Sequence, residues 1–311
     1  MKIMNKKISL LAVIVLMFVV GAVVYSLGYR MAMNKFNNVI SYNQEKQKMY
    51  STLSDVDYNV RNLCIENIDE DKLITGICKG YVSGVSENCK FFTDNEYEQF
   101  VNENKNAPID ISDKVINSKI GYIRIGNLAA GSGKVFENKL KDYTSNNISN
   151  FIIDLRNCNK GEDEEAFGII KSITSGENIV SAIDKKGQRE VVCSSNIILP
   201  EIKVVCLINK YTSGPSELIA SCIKDENRFY VIGDKTSGNA VRRKAVTFIN
   251  GNVMLFPDAY YVTKSNSNIY QTGVAPSMES SMSEEKIDLL NKKMLDFNED
   301  EQLVDAVNYF E

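Results

Sequence analysis

The sequence predicts an α/β core flanked by helices at both ends, with one transmembrane helix at its start. Three observations carry this. Short β-branched runs alternate with helix-period segments from residue 120 onward. The stretches on either side, residues 30–107 and 281–311, are polar and helical in pattern. Residues 8–29 form an uncharged run behind three lysines, Lys2, Lys6 and Lys7.

The elements follow in chain order. As a helix, residues 8–29 would be about 33 Å long, enough to cross a bilayer core. A cleavable signal would have a shorter apolar stretch and a small-x-small site, and neither is clear, so an uncleaved signal-anchor is expected. The lysines then hold residues 1–7 in the cytoplasm and the bulk of the chain lies outside it. Residues 31–53 read as a stalk or coiled helix. Acids at 69–71, within the segment 68–74, lead into a further apolar helical period, and Thr93 with Glu96 three residues on forms a capping box for a helix through Phe100. Residues 105–118 read as a linker. Strands are expected at 122–125, 151–155, 202–208 and 229–232, with helices at 135–143, 164–174 and 216–224 between them. The tail from 283 to 310 is helical again. The domains expected are therefore a tail (1–7), an anchor (8–29), a helical region (30–107), a core (108–280) and a C-terminal helix (281–311).

Composition excludes several functions. The 36 basic and 40 acidic residues leave a net charge of −4, with no basic excess for nucleic acid. There is no His, hence no Ser-His-Asp triad, no Cys-His dyad and no histidine metal site. A nucleophile would need another base, for which Lys is the usual substitute. The seven cysteines form no C-x-x-C pair, and no metal or other cofactor is expected. Most read as small buried hydrophobes, Cys206 in Val-Val-Cys-Leu-Ile among them. Gly131-Ser132-Gly133-Lys134 lacks the leading Gly and the Ser/Thr of a phosphate loop and reads as a solvated turn. The acidic run 162–165 reads as a solvated helix start, and Arg242-Arg243-Lys244 as a solvated strand edge. Asn147-Ile148-Ser149 fits a glycosylation sequon.

Several segments, in order and without gaps, resemble one family. Gly121-Tyr122-Ile123-Arg124-Ile125 resembles the strand that opens the protease core of C-terminal processing (tail-specific) serine peptidases. Ile153-Asp154-Leu155-Arg156-Asn157-Cys158-Asn159-Lys160-Gly161 resembles their I-D-L-R-N-N-P-G-G. Lys210-Tyr211-Thr212-Ser213-Gly214-Pro215-Ser216-Glu217 is similar to the stretch ending T-A-S-A-S-E, and Val231 to Asn239 to V-G-E-x-T-F-G-K. Gly273-Val274-x-Pro276 and the Asp-x-Gln-Leu-x-x-Ala of residues 300–306 match the end of the core and the terminal helix. The resemblance implies a ClpP/crotonase-like α/β core. The family's PDZ domain, which binds substrate tails, has no room between the N-terminal helices and the opening strand, where only about a dozen residues intervene.

The resemblance also assigns the catalytic positions. The family nucleophile falls at Gly214, which has no side chain. The lysine base falls at Asn239, whose amide takes no proton near neutral pH. The supporting polar position holds Arg243. The oxyanion-loop positions are Lys160, Gly161 and Pro215, and Pro215 has no N–H to donate. Gly as cap, Pro in the first turn and an acid at Glu217 still make a good helix start. The expectation is a pseudopeptidase that binds or regulates a protein or peptide partner, as a homodimer or beside an active paralogue. The alternative is an active serine peptidase with Ser213 or Ser216 as a relocated nucleophile and Lys235 as base.

Overall fold

The fold is that of a computed structural model, which describes residues 10–197, 201–226, 228–265 and 267–311. Lys2, Lys6, Lys7 and the first residues of the apolar run lie outside the described residues. The chain divides into two compact units, residues 1–73 and 74–311.

The first unit is dominated by one helix, α1 (Leu10–Leu63), which continues without a break from the apolar run through the expected stalk. Its segment Leu16–Asn37 has a mean hydropathy of 1.5 and is wholly exposed, long and apolar enough to cross a membrane. The last turn is tied down by Arg61, whose guanidinium bridges Asp57 at 2.8 Å and Glu70 at 2.6 Å.

The second unit holds the core. Helix α2 (Glu70–Ser83) enters it, followed by strand β1 (Lys90–Phe92) and helix α3 (Asp94–Lys105). The Thr93 capping box is present: Glu96 N–H donates to Thr93 Oγ1, and Thr93 N–H to Glu96 Oε2. The helix runs a turn past Phe100, and part of the expected linker is a strand, β2 (Ile111–Ile116). It was masked by its charges: β2 is an edge strand, and only its last residue is buried.

Next come β3 (Ile120–Ile125), α4 (Ser132–Ser145), β4 (Asn150–Asp154), α5 (Asp163–Ile173), β5 (Gly176–Asp184), β6 (Arg189–Ser195) and β7 (Lys203–Ile208). Helix α6 (Pro215–Asp225), β8 (Phe229–Gly233), β9 (Val241–Thr247), β10 (Val253–Thr263) and the short β11 (Met278–Glu279) complete the core. The expected C-terminal helix is two helices, α7 (Glu284–Asn291) and α8 (Glu301–Asn308). A left-handed Lys293 (φ 58°) ends the first and Asp300 caps the second through Leu303 N–H.

One sheet has the order β11-β8-β7-β4-β3-β2, parallel except for β2. Its inner strands β3, β4, β7 and β8 are buried on both faces, as parallel strands covered by helices must be. One face, with Ile123, Ile153, Cys206 and Val231, packs on α4, α5 and α6; the other, with Tyr122, Ile152 and Leu207, packs on α8. The second sheet is antiparallel, order β1-β10-β5-β6, with β9 also on β10. Pro257 sits inside β10 beside a register shift between Pro257 and Ala259, where the ladder does not need its N–H.

Candidate active site

The site forms where the loops after β4, β7 and β8 meet at the carboxyl ends of the parallel strands. Thr212 pins the loop after β7: its hydroxyl donates to Leu155 O at 2.9 Å and accepts from Asn209 N–H at 3.0 Å. Asn209 in turn holds the loop after β4, accepting from Asn157 N–H at 3.1 Å and donating to Asn157 Oδ1 at 2.8 Å. Ser213 N–H and the Ser216 hydroxyl both donate to Cys158 O, at 3.0 and 2.6 Å.

Glu217 is the hub, and it lies fully buried. Its Oε1 accepts from Thr236 Oγ1 at 2.5 Å and Gly238 N–H at 2.6 Å. Its Oε2 accepts from Gly214 N–H at 2.9 Å, Asn239 N–H at 2.7 Å and Ser237 Oγ at 3.3 Å. One carboxylate thus fastens the nucleophile turn to the base loop. From the sequence Glu217 reads as a helix-start acid only; the Gly-x-x-Glu spacing points to the local half of this role, and nothing local announces the rest.

Gly214 and Asn239 are therefore held together, each by a backbone N–H on the same oxygen. Gly214 has φ 67° and ψ −129°, a region that side chains rarely enter. A Cβ built there would meet nothing within 4 Å. The turn thus leaves open space where a side chain would project, on a backbone that favours glycine. Gly214→Ala is accordingly expected to cost about 1–2 kcal/mol from φ alone, without a clash; denaturant unfolding measures it, and a loss above about 4 kcal/mol would mean that the space is not open.

The other positions fall as follows. Ser216 is buried and its hydroxyl is committed to Cys158 O and Ser213 O. Ser213 is partly exposed, with Oγ 3.5 Å from Asn239 Nδ2. Lys235 is exposed and hydrogen-bonds to neither serine. Arg243 is exposed on β9, opposite Pro257. Lys160 O accepts from Leu128 N–H at 2.9 Å, and Gly161 forms a bridge with Leu128. A Cβ on Gly161 would lie 2.3 Å from Leu128 O, so that position admits only glycine. Pro215 opens α6 with no N–H. Burial pushes the Cys158 thiol up to about 12, which leaves no thiolate nucleophile beside the turn.

Two readings are corrected nearby. The 131–134 segment is not a solvated turn: Gly131 and Gly133 N–H both donate to the Glu165 carboxylate at 2.8 Å, so the start of α4 holds an internal anion. The acidic run is correspondingly not all solvated. Besides Glu165, Asp163 turns inward and accepts from the Tyr261 hydroxyl at 2.6 Å.

Burial raises the Asp163 carboxyl to about 6, against the opposing pull of Tyr261 and the Arg243 charge. With the folded value above the unfolded one, the folded state holds this proton more tightly. Its contribution to stability is present at low pH and is lost as pH rises through about 6. Asp163→Asn, whose Oδ1 still accepts from Tyr261, should be about 1–2 kcal/mol more stable than the parent at pH 7.5 and equal to it near pH 4. Thermal unfolding at the two pH values checks this.

Beneath the site lies a buried ion cluster. Arg156, with no exposed surface, donates from Nε and Nη2 to Asp154 at 2.9 and 2.6 Å, and from Nη1 and Nη2 to Asp300 at 2.7 and 2.8 Å. Tyr122 Oη donates to Asp154 Oδ2 at 2.8 Å. Burial alone would raise the Asp154 carboxyl; the Arg156 charge and hydrogen bonds outweigh it and hold the group below the usual range. The cluster ties the end of β4, and hence the 157–161 loop, to α8.

All seven cysteines are free thiols; Cys158, Cys193, Cys206 and Cys222 are buried. Among the described residues no group of His, Cys, Asp and Glu has the arrangement of a metal site.

Comparison with known proteins agrees with this geometry. The chain is 28% identical over 160 residues to carboxyl-terminal-processing peptidase 2, chloroplastic, of Arabidopsis thaliana, covering 51% of this chain and 31% of that protein. It is 25% identical over 171 residues to the carboxyl-terminal-processing protease of Picosynechococcus sp., covering 55% and 41%. The chain thus spans well under half the length of these curated relatives. Among solved structures, it resembles a photosystem II D1 C-terminal processing protease with a TM-score of 0.51 at 20% identity, covering 56% of this chain and 48% of that one. A lipoprotein from Streptococcus agalactiae gives a TM-score of 0.56 at 13% identity, covering 74% and 83%. The model of peptidase family S41 matches residues 119–280. That match takes in just over half of the chain, from β3 to β11, and with it every loop that builds the site, so the chain belongs to peptidase family S41.

Proposed function

We propose that this chain is a membrane-anchored, extracytoplasmic S41 member that has given up peptidase chemistry and binds or regulates a protein partner. The observation that carries the reading is the pairing of Gly214 with Asn239 on one Glu217 oxygen, 2.9 and 2.7 Å away. The two family positions meet as they would in an enzyme, yet neither holds a group that can attack a carbonyl or take a proton. Ser216 is no substitute, because its hydroxyl is buried and already donated. Pro215 removes an oxyanion donor by a separate route. The apolar segment Leu16–Asn37 supports the anchor. The partner could be a second copy of the chain or an active relative; both keep the core as a binding surface.

A second reading rests on Ser213, the one partly exposed serine at the turn: a relocated nucleophile with Lys235 as base. One experiment separates the two. The full chain in detergent is incubated with casein beside a Ser213→Ala/Ser216→Ala variant, and fragments are followed by mass spectrometry. No cleavage by either is the expected result. Cleavage by the parent that disappears in the double variant would overturn the proposal in favour of a working serine.

A further inference from the structure

A cavity of about 240 Å³ opens on the α8 side of the parallel sheet, between β2, β3 and the segment from α7 to α8. Arg124 lines it and is only 7% exposed. Its Nε is buried with no acceptor, and the guanidinium makes no hydrogen bond to any described residue. Leaving a guanidinium N–H out of water without an acceptor is costly, which makes this Nε an unusual atom to find unsatisfied.

The carboxylates within reach are already in use. Asp154, the cross-strand neighbour of Arg124, is saturated by Arg156 and the Tyr122 hydroxyl. Asp300 is taken by Arg156 and by Leu303 N–H. Asp113 accepts from Lys139 and from the Tyr143 hydroxyl. Of the two lysines in the walls, Lys293 pairs with Asp110 at 2.7 Å, while Lys114 lies over the Tyr122 and Phe297 rings at 5.2 and 5.6 Å. Ser112 adds one polar residue, and the rest of the wall is apolar: Leu290, Leu295, Phe297 and Leu303.

A planar fork of donors at one end and leucines around it select a carboxylate on a short apolar body. Asp113 and Asp300 in the walls oppose a dianion such as phosphate. We infer that this cavity binds a monocarboxylate with a small branched apolar group, held through Arg124. The carboxylate can come from a free short-chain acid or from the end of a peptide; the chemistry is the same.

The test titrates the full chain in detergent with sodium 3-methylbutanoate, following the arginine Nε–H resonances and calorimetric heat. Expected is saturable one-to-one binding that shifts one Nε–H signal. That signal should be missing in Arg124→Lys, which keeps the charge but not the fork, and affinity should fall at least ten-fold. The same loss is expected for 3-methylbutan-1-ol and for inorganic phosphate. A short peptide ending in leucine, beside its C-terminal amide, distinguishes the sources: tighter binding of the free-ended peptide assigns a chain terminus, and tighter binding of the acid assigns a small metabolite. Thermal melting confirms that Arg124→Lys is folded. Absence of saturable binding by both acid and peptide would overturn the inference, as would equal affinity of the folded variant or of the alcohol.

Discussion

Arg156→Met should cost about 3–5 kcal/mol, because it strands two buried carboxylates at once. In the parent cluster one guanidinium bridges Asp154 and Asp300, with Tyr122 and Gln302 adding neutral hydrogen bonds. Methionine fits the volume but offers no charge and no donor. The pH dependence should reverse as well. In the parent, the folded Asp154 carboxyl sits below its unfolded value, so its contribution is present above the ordinary carboxylate range and is lost as pH falls through the folded value. Without the Arg156 guanidinium, burial is opposed only by the Arg124 charge, the residue-156 backbone N–H and the Tyr122 hydroxyl, so the carboxyl rises and the variant should be relatively more stable in acid than at neutrality. Adding Asp154→Asn and Asp300→Asn should recover more than half of the loss, since neutral amides remove the stranded charge. Urea unfolding at pH 5 and pH 7.5 measures all of this. A loss below about 1 kcal/mol, or an unchanged pH trend, would mean that water reaches the cluster.

Glu217→Gln is the second substitution with a large expected effect, and it reports on the site itself. The carboxylate accepts from three backbone N–H groups and two hydroxyls. An amide keeps one acceptor oxygen and turns an N–H₂ toward donors, whichever way it faces. Several charge-assisted bonds are lost and at least one buried N–H is left unpaired, for a cost of about 2–4 kcal/mol. The damage should be local before it is global. Hydrogen exchange at Gly238 and Asn239 should accelerate by about 10²–10³-fold, in keeping with that energy, while β4 and β7 amides keep most of their protection. Unchanged exchange at Asn239 would show that the loop after β8 is held by other contacts, such as the Ser237 N–H bond to Thr212 O at 3.1 Å.

The parallel sheet was legible because its inner strands are buried on both faces and read as continuous apolar runs, such as Phe151-Ile152-Ile153 and Val204-Val205-Cys206-Leu207-Ile208. The second sheet was not. Arg242-Arg243-Lys244 reads as a strand edge and does lie in β9, but Pro257 in β10 and Gly176-Glu177-Asn178 at the start of β5 are patterns that local reasoning assigns to loops. They are strands because their partners and a register shift accommodate these residues, which is tertiary information. The same boundary runs through the site. Gly214, Pro215 and Asn239 could be placed from the ungapped family resemblance. That Glu217 reaches across to residues 236–239, that Ser216 spends its hydroxyl on Cys158 O, and that Glu165 fills the start of α4 could not, since each depends on a contact far apart in sequence.

The buried thiols give the fold a built-in gauge of its own opening. Cys158, Cys206 and Cys222 line the helix-covered face of the parallel sheet and Cys193 lies in the second sheet, whereas Cys64, Cys78 and Cys89 are reachable from solvent. An alkylating reagent should therefore modify three thiols at once and four only as fast as the core opens. Because Cys193 belongs to one sheet and Cys206 to the other, the order of their modification would tell whether the two sheets part together or in turn, with no label introduced.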